Sequence, residues 1–226
     1  MTDHPTESAA PSSRYPLALL GLFAAWWTLL AIRPWFRHDW LLENMLVLIA
    51  VPLLCWSHRR LRFSNYAYTL LFAFFCLHEI GAHYTYAEVP WNQWLISLAG
   101  WDAMHALGMS RNHFDRVIHF GYGLLVVPAV AELIEARGPL RGWWRNLVPV
   151  MFIMSNSELY EMIEWQAAEI FGGELGQAYL GTQGDIWDAQ KDSAMAMIGA
   201  MLGMVLYRWR VAVRLLWRAS LSGTPT

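Results

Sequence analysis

Residues 185–207 read DIWDAQKDSAMAMIGAMLGMVLY, an acidic opening followed by an apolar run. The run is long enough for a helix that crosses a bilayer, which needs about 20 predominantly apolar residues. Residues three or four positions apart share one face of a helix, so the three aspartates lie on a face that continues through Gly199 and Gly203. A Gly-x-x-x-Gly pair lets two helix backbones approach closely in lipid. The stretch therefore predicts a transmembrane helix whose acidic face packs against other helices.

The whole chain shares this apolar character. Of its 226 residues, 56% are hydrophobic and 15% charged, whereas soluble domains have roughly 45–50% and about 25%. A net charge of −2 gives no reason to expect nucleic acid as a partner. Both cysteines, Cys55 and Cys76, lie inside apolar runs, which argues against a disulfide scaffold or a cysteine zinc site. Runs long enough to span a bilayer occupy residues 16–32, 40–56, 66–86, 115–133, 144–171 and 185–207.

The basic residues orient these runs, because Lys and Arg near span ends stay on the cytoplasmic side. With the N-terminus inside, most of the 16 basic residues fall on the cytoplasmic side. The sequence thus predicts an all-α, polytopic transmembrane helical bundle of six spans with both termini cytoplasmic. We expect one domain over residues 16–218, with disordered tails at residues 1–15 and 219–226.

Two segments outside the spans frame the outer side of the predicted bundle. Residues 87–112 are amphipathic and rich in tryptophan, which is typical of an interfacial segment at headgroup level. Residues 172–184 form a Gly-rich outer loop that leads into the sixth span. Membrane lipids are therefore the expected partners.

Ionisable side chains gather at one depth within the predicted spans, near the outer leaflet. They lie late in the third and fifth spans and early in the fourth and sixth, and charges inside a membrane are costly and functional by default. Carboxylates outnumber the basic residues at this level, so a divalent cation would neutralise the excess. Imidazole with carboxylate suits Zn, Mn or Fe, and carboxylate with water suits Mg. The predicted ligands are His78, Glu79, His83, His113, His119, Asp185, Asp188 and Asp192.

Helical spacing assigns faces to some of these side chains. Glu79 and His83 are four positions apart, and Tyr86 continues their face. Asp115 and His119 form a second stripe on the fourth span. The first two runs are predicted as plain apolar spans.

The chemistry that these residue types indicate is hydrolysis or group transfer on a lipid or lipid-linked phosphate, with metal-bound water as nucleophile. The candidate catalytic residues are Glu161 or Glu164 as general base, Asp115, and Arg116 and Lys191 as phosphate contacts. A metal-free variant, with a histidine nucleophile oriented by Asp115, stays open. The candidate substrate-binding residues are Arg111, Asn112, Tyr86, Thr182, Gln183 and Trp187.

Two functions of other classes are weighed beside the enzyme. A small cation- or proton-coupled transporter would use the acids as an ion path, but the inner halves of the helices are apolar and no inverted repeat is visible. A non-catalytic envelope protein that binds lipid would need the polar cluster only for structure. Unpaired acids argue against that reading, because structural pairing needs balanced charges.

Four strings of the sequence resemble the YjdF family of bacterial inner-membrane proteins. They are HEIGAHYTY at 78–86, RNHFDRxxHF at 111–120, ExxEW at 161–165 and GTQGDxWDAxKD at 181–192. The resemblance covers residues 40–207 and implies a location in the bacterial inner membrane. More distantly, the DRxxHF string followed by DxxD before a helix of small residues is similar to the VanZ-like pattern, which is associated with envelope and glycopeptide-related phenotypes.

Overall fold

The computed structural model describes residues 13–173, 176 and 180–222, and every regular element among them is helical. The all-α prediction is confirmed. A 3-10 turn, Tyr86–Glu88, follows the third helix. The α-helices are α1 (Arg14–Leu30), α2 (Arg37–Ser57), α3 (Asn65–Tyr84), α4 (Trp91–Ala99), α5 (Ala103–Ala106), α6 (Phe114–Arg137), α7 (Trp144–Phe171) and α8 (Asp188–Ser222).

The six long helices lie where the six apolar runs were predicted, with different ends. Helix α3 stops at Tyr84, two residues early, because Thr85 takes a left-handed conformation with φ 55°. Helix α8 begins at Asp188, so Asp185 precedes it. The predicted tails lie largely outside the described residues, although α1 already includes Arg14 and α8 continues to Ser222.

Contacts between helix ends show that long helices consecutive in the chain run in opposite directions, whereas the packed pair α6 and α8 is parallel. At one end, Trp35 N, between α1 and α2, donates to the His83 carbonyl at the end of α3. At the other end, Ser64 N, at the start of α3, donates to Glu132 Oε2 near the end of α6 at 2.7 Å. We call the end where α3 finishes and α6 and α8 begin the site end, and the opposite, arginine-rich end the basic end.

In the part of the chain that the structure describes, three helices, α2, α6 and α8, are long and apolar enough to cross a bilayer. Helix α1 is apolar but has only 17 residues, and the polar side chains on α3 and α7 lower their hydropathy. Large apolar side chains point outward along the long helices, for example Leu22 at 60% and Val205 at 65% exposed. An apolar surface of this extent is unfavourable in water and suits lipid.

Helices α6 and α8 pack backbone to backbone. A Cβ added to Gly199 or Gly203 of α8 would overlap the carbonyl oxygen of Phe120 or Leu124 on α6, and one added to Gly123 of α6 would overlap α8. The predicted close approach at the glycine pair is therefore present, with Gly123 as a third member. Because Asp188 and Asp192 lie on the same face of α8 as these glycines, their side chains point into the bundle.

The amphipathic segment 87–112 folds into α4 and α5 beside the site end. Helix α4 buries none of its residues, and Leu98 is 87% exposed. Asp102 caps α5 by accepting a hydrogen bond from His105 N at 3.0 Å, a bond that lowers the pKa of Asp102. Of the Gly-rich loop 172–184, residues 174, 175 and 177–179 lie outside the described residues.

Candidate functional site

Four side chains from three helices converge at the site end. Asp115 and His119 are one turn apart on α6, Asp192 comes from α8, and one potential ligand atom from each lies within 4.8 Å of the other two. His119 Nε2 also lies 3.6 Å from Asp115 Oδ1 and 3.3 Å from Glu161 Oε1 on α7. We call Asp115, His119, Glu161 and Asp192 the acid–histidine cluster.

This cluster is short of hydrogen-bond donors. Asp192 is 1% exposed, and its Oδ1 has no hydrogen-bond partner among the described residues. The other ring nitrogen of His119, Nδ1, lies 3.3 Å from Ser157 Oγ, so only Nε2 faces the carboxylates. A buried acceptor without a donor costs about 1–3 kcal/mol, and more if it is charged. Three acids around one imidazole therefore require added positive charge, which either protons or a metal ion would supply.

The spacing of the cluster suits a small divalent ion. Two ligand atoms bound at about 2.0–2.1 Å to a tetrahedral ion lie about 3.3 Å apart. The separations of His119 Nε2 from Glu161 Oε1 and Asp115 Oδ1, 3.3 and 3.6 Å, are close to that value. The same distances would also fit a protonated imidazole between two carboxylates, which is the metal-free arrangement.

A separate ion-pair network lies next to the cluster. Arg111 Nη2 contacts Asp188 Oδ1 at 2.6 Å, and Arg116 Nη2 bridges Asp188 Oδ1 and Asp185 Oδ2, both at 2.8 Å. Lys191 Nζ completes it with bonds of 2.9 and 2.7 Å to the two Asp185 oxygens. Asp185 and Asp188, predicted as metal ligands, are thus engaged by basic side chains because the Arg111 loop folds onto the start of α8.

The turn before α8 gives Asp185 its position. Asp185 Oδ1 accepts a hydrogen bond from Trp187 N at 3.1 Å. Hydrogen bonds from Lys191 and from that amide lower the pKa of Asp185 to about 2. The Trp187 side chain, a predicted substrate contact, is 59% exposed, so it is not buried with the cluster.

Asn112 ties the interfacial segment to the loop before α8. Its Oδ1 accepts from Trp91 Nε1 at 2.7 Å and from Phe114 N at 2.9 Å, and its Nδ2 donates to the Val89 carbonyl. Its backbone exchanges two hydrogen bonds with the Gln183 side chain. The neighbouring Thr182 carbonyl accepts from Arg111 Nη1. These predicted substrate contacts hold the two segments together.

His78 belongs to a different set of contacts from His119. Its Nδ1 lies 2.5 Å from the Tyr86 hydroxyl, and its Nε2 lies 3.3 Å from the Glu43 carbonyl. After the left-handed Thr85, the chain turns back and the Tyr86 ring covers Gly81, where an added Cβ would overlap the ring. The predicted face shared by Glu79, His83 and Tyr86 is therefore not formed, because α3 ends before Tyr86.

Three further predicted ligands lie apart from the cluster. His83 Nδ1 lies 2.7 Å from the Leu30 carbonyl of α1. His113 Nδ1 lies 2.8 Å from the Arg111 carbonyl, before α6 begins. Glu79 is fully buried on α3 beside Asn44 of α2. Of the predicted metal ligands, the structure brings His119 and Asp192 together.

The second helix carries polar residues that the prediction of a plain apolar span missed. Asp39, Glu43 and Asn44 are 1–2% exposed, and Tyr160 of α7 donates to Glu43 Oε2 at 2.6 Å. The signal was the pair of acids four positions apart at the start of α2. These residues extend the buried acidic region from α8 across to α2.

A cavity of about 200 Å³ joins this acidic region to the lipid-facing surface. Asp115, His119 and Glu164 form part of its wall, with aromatic side chains opposite. Leu159 and Ile163 of α7 also line it, and both are more than half exposed on the outside of the bundle. A ligand could therefore enter sideways from lipid and bring a polar group to the cluster.

Comparison with known proteins finds relatives among membrane proteins. The family described as "Predicted membrane protein (DUF2238)" matches residues 15–212. "Inner membrane protein YjdF" of Escherichia coli (strain K12) is 39% identical over 176 residues, which is 74% of this chain and 78% of that relative. No solved structure matches the chain. The family match reaches from α1 into α8, and the more distant VanZ-like similarity stays a prediction.

Proposed function

This chain belongs to the DUF2238 family of membrane proteins, and we propose that it is a metal-dependent hydrolase or transferase acting on a lipid or lipid-linked phosphate. One observation carries the proposal. Asp115, His119 and Asp192 present ligand atoms within 4.8 Å of one another, beside a cavity that opens toward lipid. Imidazole together with carboxylates suits Zn, Mn or Fe, and Mg is the choice if the carboxylates dominate.

The protein is an integral, multi-pass protein of the bacterial inner membrane. The finer topology that we propose has six spans, both termini in the cytoplasm and the site end outside. The alternating directions of the six long helices and the arginines at the basic end support it. A fluorescent protein fused after residue 226 should fluoresce, and a periplasmic reporter inserted near residue 100 should be active. The opposite pattern would reverse the orientation.

Within this proposal, the side chains divide into ligands, a base and phosphate contacts. A metal would supply Lewis acid chemistry and a more acidic bound water. Glu161 Oε1, which has no hydrogen-bond partner among the described residues, would accept a proton there. Arg111 and Arg116 are held by aspartates, but each keeps a buried Nε without an acceptor in the described part of the chain, which could donate to a phosphate.

Metal content separates ligand histidines from other histidines. Purified protein should contain about one equivalent of metal by elemental analysis, and His119→Ala and Asp192→Asn should lose it. His83→Ala and His113→Ala are matched controls, because their side chains contact backbone carbonyls away from the cluster. Wild-type protein without metal, even after incubation with Zn, Mn, Fe or Mg, would refute the metal-dependent enzyme.

Activity tests the reaction class. Release of inorganic phosphate from phosphatidic acid and from a polyprenyl diphosphate should depend on metal and fall at least about 100-fold in Glu161→Gln, in line with the loss of a general base. Metal-independent activity lost only in His119→Ala would instead support the metal-free variant. Proton or cation flux in proteoliposomes, with no phosphate release, would support a transporter.

A further inference from the structure

A second and larger cavity lies at the basic end, remote from the acid–histidine cluster. Helices α1 and α2 each pack on α3, and between them opens a cleft of about 480 Å³. Its volume falls within the range of about 300–1,000 Å³ that is usual for small-molecule sites. Its walls are apolar over most of their length, with Leu20 and Phe23 from α1, Leu54 from α2 and Phe72 from α3.

The mouth of this cleft is polar and basic. Arg59 and Arg62, from the loop between α2 and α3, line it together with His58 and Tyr68. The Tyr68 hydroxyl lies 2.6 Å from His58 Nδ1, and Ser13 Oγ lies 3.4 Å from His58 Nε2, so the loop is fixed against α1 and α3. No acidic side chain is among the described residues that line the cleft.

We propose that this cleft binds one anionic phospholipid from the leaflet at the basic end, with its phosphate at Arg59 and Arg62 and an acyl chain between α1 and α2. Charge complementarity selects the occupant, because arginine pairs with phosphate oxygens through parallel hydrogen bonds. The long apolar part matches an acyl chain rather than a free phosphate. The proposal does not depend on the metal site, which lies at the other end of the bundle.

Two residues next to the cleft, one basic and one apolar, provide matched controls. Arg60 belongs to the same loop as Arg59 and Arg62, but its guanidinium lies 5.6 Å from the centre of the Trp56 ring and does not line the cleft. Similarly, Leu20 lines the cleft, whereas Leu22 of the same helix is 60% exposed and does not. Each pair separates a specific site from general attraction of lipid to the surface.

Native mass spectrometry of the delipidated full-length protein, titrated with phosphatidylglycerol or phosphatidylcholine, tests the proposal. Wild type should bind one phosphatidylglycerol more tightly than the next, and more tightly than phosphatidylcholine. The double variant Arg59→Ala/Arg62→Ala should weaken that first binding about 30-fold. Arg60→Ala should leave it within about twofold of wild type.

A cleft-filling variant tests the acyl chain independently of charge. Leu20→Trp should abolish the first phosphatidylglycerol adduct, and Leu22→Trp should keep it. Equal binding of the two lipids, or equal losses in Arg60→Ala and the double variant, would overturn the proposal. A dimer that Leu20→Trp dissociates would assign the cleft to a second copy of the chain and overturn it as well.

Discussion

Replacing Asp192 with asparagine should change thermal stability in opposite directions with and without metal. In the metal-free protein, Asp192→Asn removes a buried acid whose Oδ1 has no donor among the described residues, and it keeps the shape of the side chain. Because Asp115 and Glu161 are also acidic, replacing one acid with a neutral amide reduces the repulsion within the cluster. We therefore expect the metal-free variant to be as stable as wild type or more stable.

With metal present, the same substitution should be destabilising relative to wild type. A ligand at 100 times its Kd stabilises the native state by about 2.7 kcal/mol. Even changes to groups that only hydrogen-bond to a metal ligand weaken metal affinity about 10–100-fold. At 100-fold weaker binding the stabilisation falls to about 0.4 kcal/mol. For a chain of this size, about 2–4 °C per kcal/mol gives a rise in Tm of about 5–10 °C for wild type and about 1 °C for the variant.

The measurement is the Tm of detergent-purified protein, stripped with chelator and then titrated separately with Zn, Mn and Mg. Glu158→Gln is the matched control, because Glu158 is an exposed acid whose Oε2 accepts from Ser193 Oγ, so its metal-induced shift should equal that of wild type. An equal fall in Tm with and without metal would mean that Asp192 has only a structural role. An unchanged metal-induced shift in Asp192→Asn would refute the ligand assignment.

Three further predictions concern the helix packing, the ion pairs and the helix cap around the site. In chemical unfolding, Gly199→Val should lower the unfolding free energy by about 1–3 kcal/mol, because the added side chain overlaps α6. Gly121→Ala is the control: no atom lies within 4 Å of its added Cβ, so it should be neutral or stabilising. The pKa of Asp185 is about 2, below its ordinary 3.8. The difference in unfolding free energy between wild type and Asp185→Asn should therefore be constant above about pH 5 and shrink as the pH falls from about 4 to 2. A difference that disappears by pH 5 would exclude the bond from Lys191. Ser64→Ala removes the cap of α3 and a 2.6 Å bond to α6, so unfolding free energy should fall by about 1–2 kcal/mol.

The sequence predicted those features of the fold that depend on hydrophobic periodicity or composition. Six apolar runs became six long helices, and the face of α8 with its acids and glycines packs against α6. Helix ends were less predictable, because they depend on single backbone conformations. The left-handed Thr85 shortens α3 and turns Tyr86 back onto Gly81, and no spacing rule indicates that turn.

The sequence predicted which residues gather at the site better than it predicted which of them contact one another. The gathering of acids and histidines at one end came from their depth along the helices, and Asp115, His119, Glu161 and Asp192 do meet. Which ion pairs form depends on how loops fold across helix ends, as Arg111 does when it reaches Asp188. The buried acids of α2 were not predicted, because residues 45–56 of that helix are uniformly apolar and dominate its pattern.

Backbone contact between α6 and α8 begins one helical turn from the acid–histidine cluster, at Gly123 and Ala196. A slip of α8 by one residue would rotate Asp192 by about 100° away from His119, and the touching backbones leave no room for smaller adjustments. The opening between these two side chains is therefore fixed before any ion arrives. An ion that binds there must therefore accept the spacing that the two helix backbones set, because neither helix can shift to close around it.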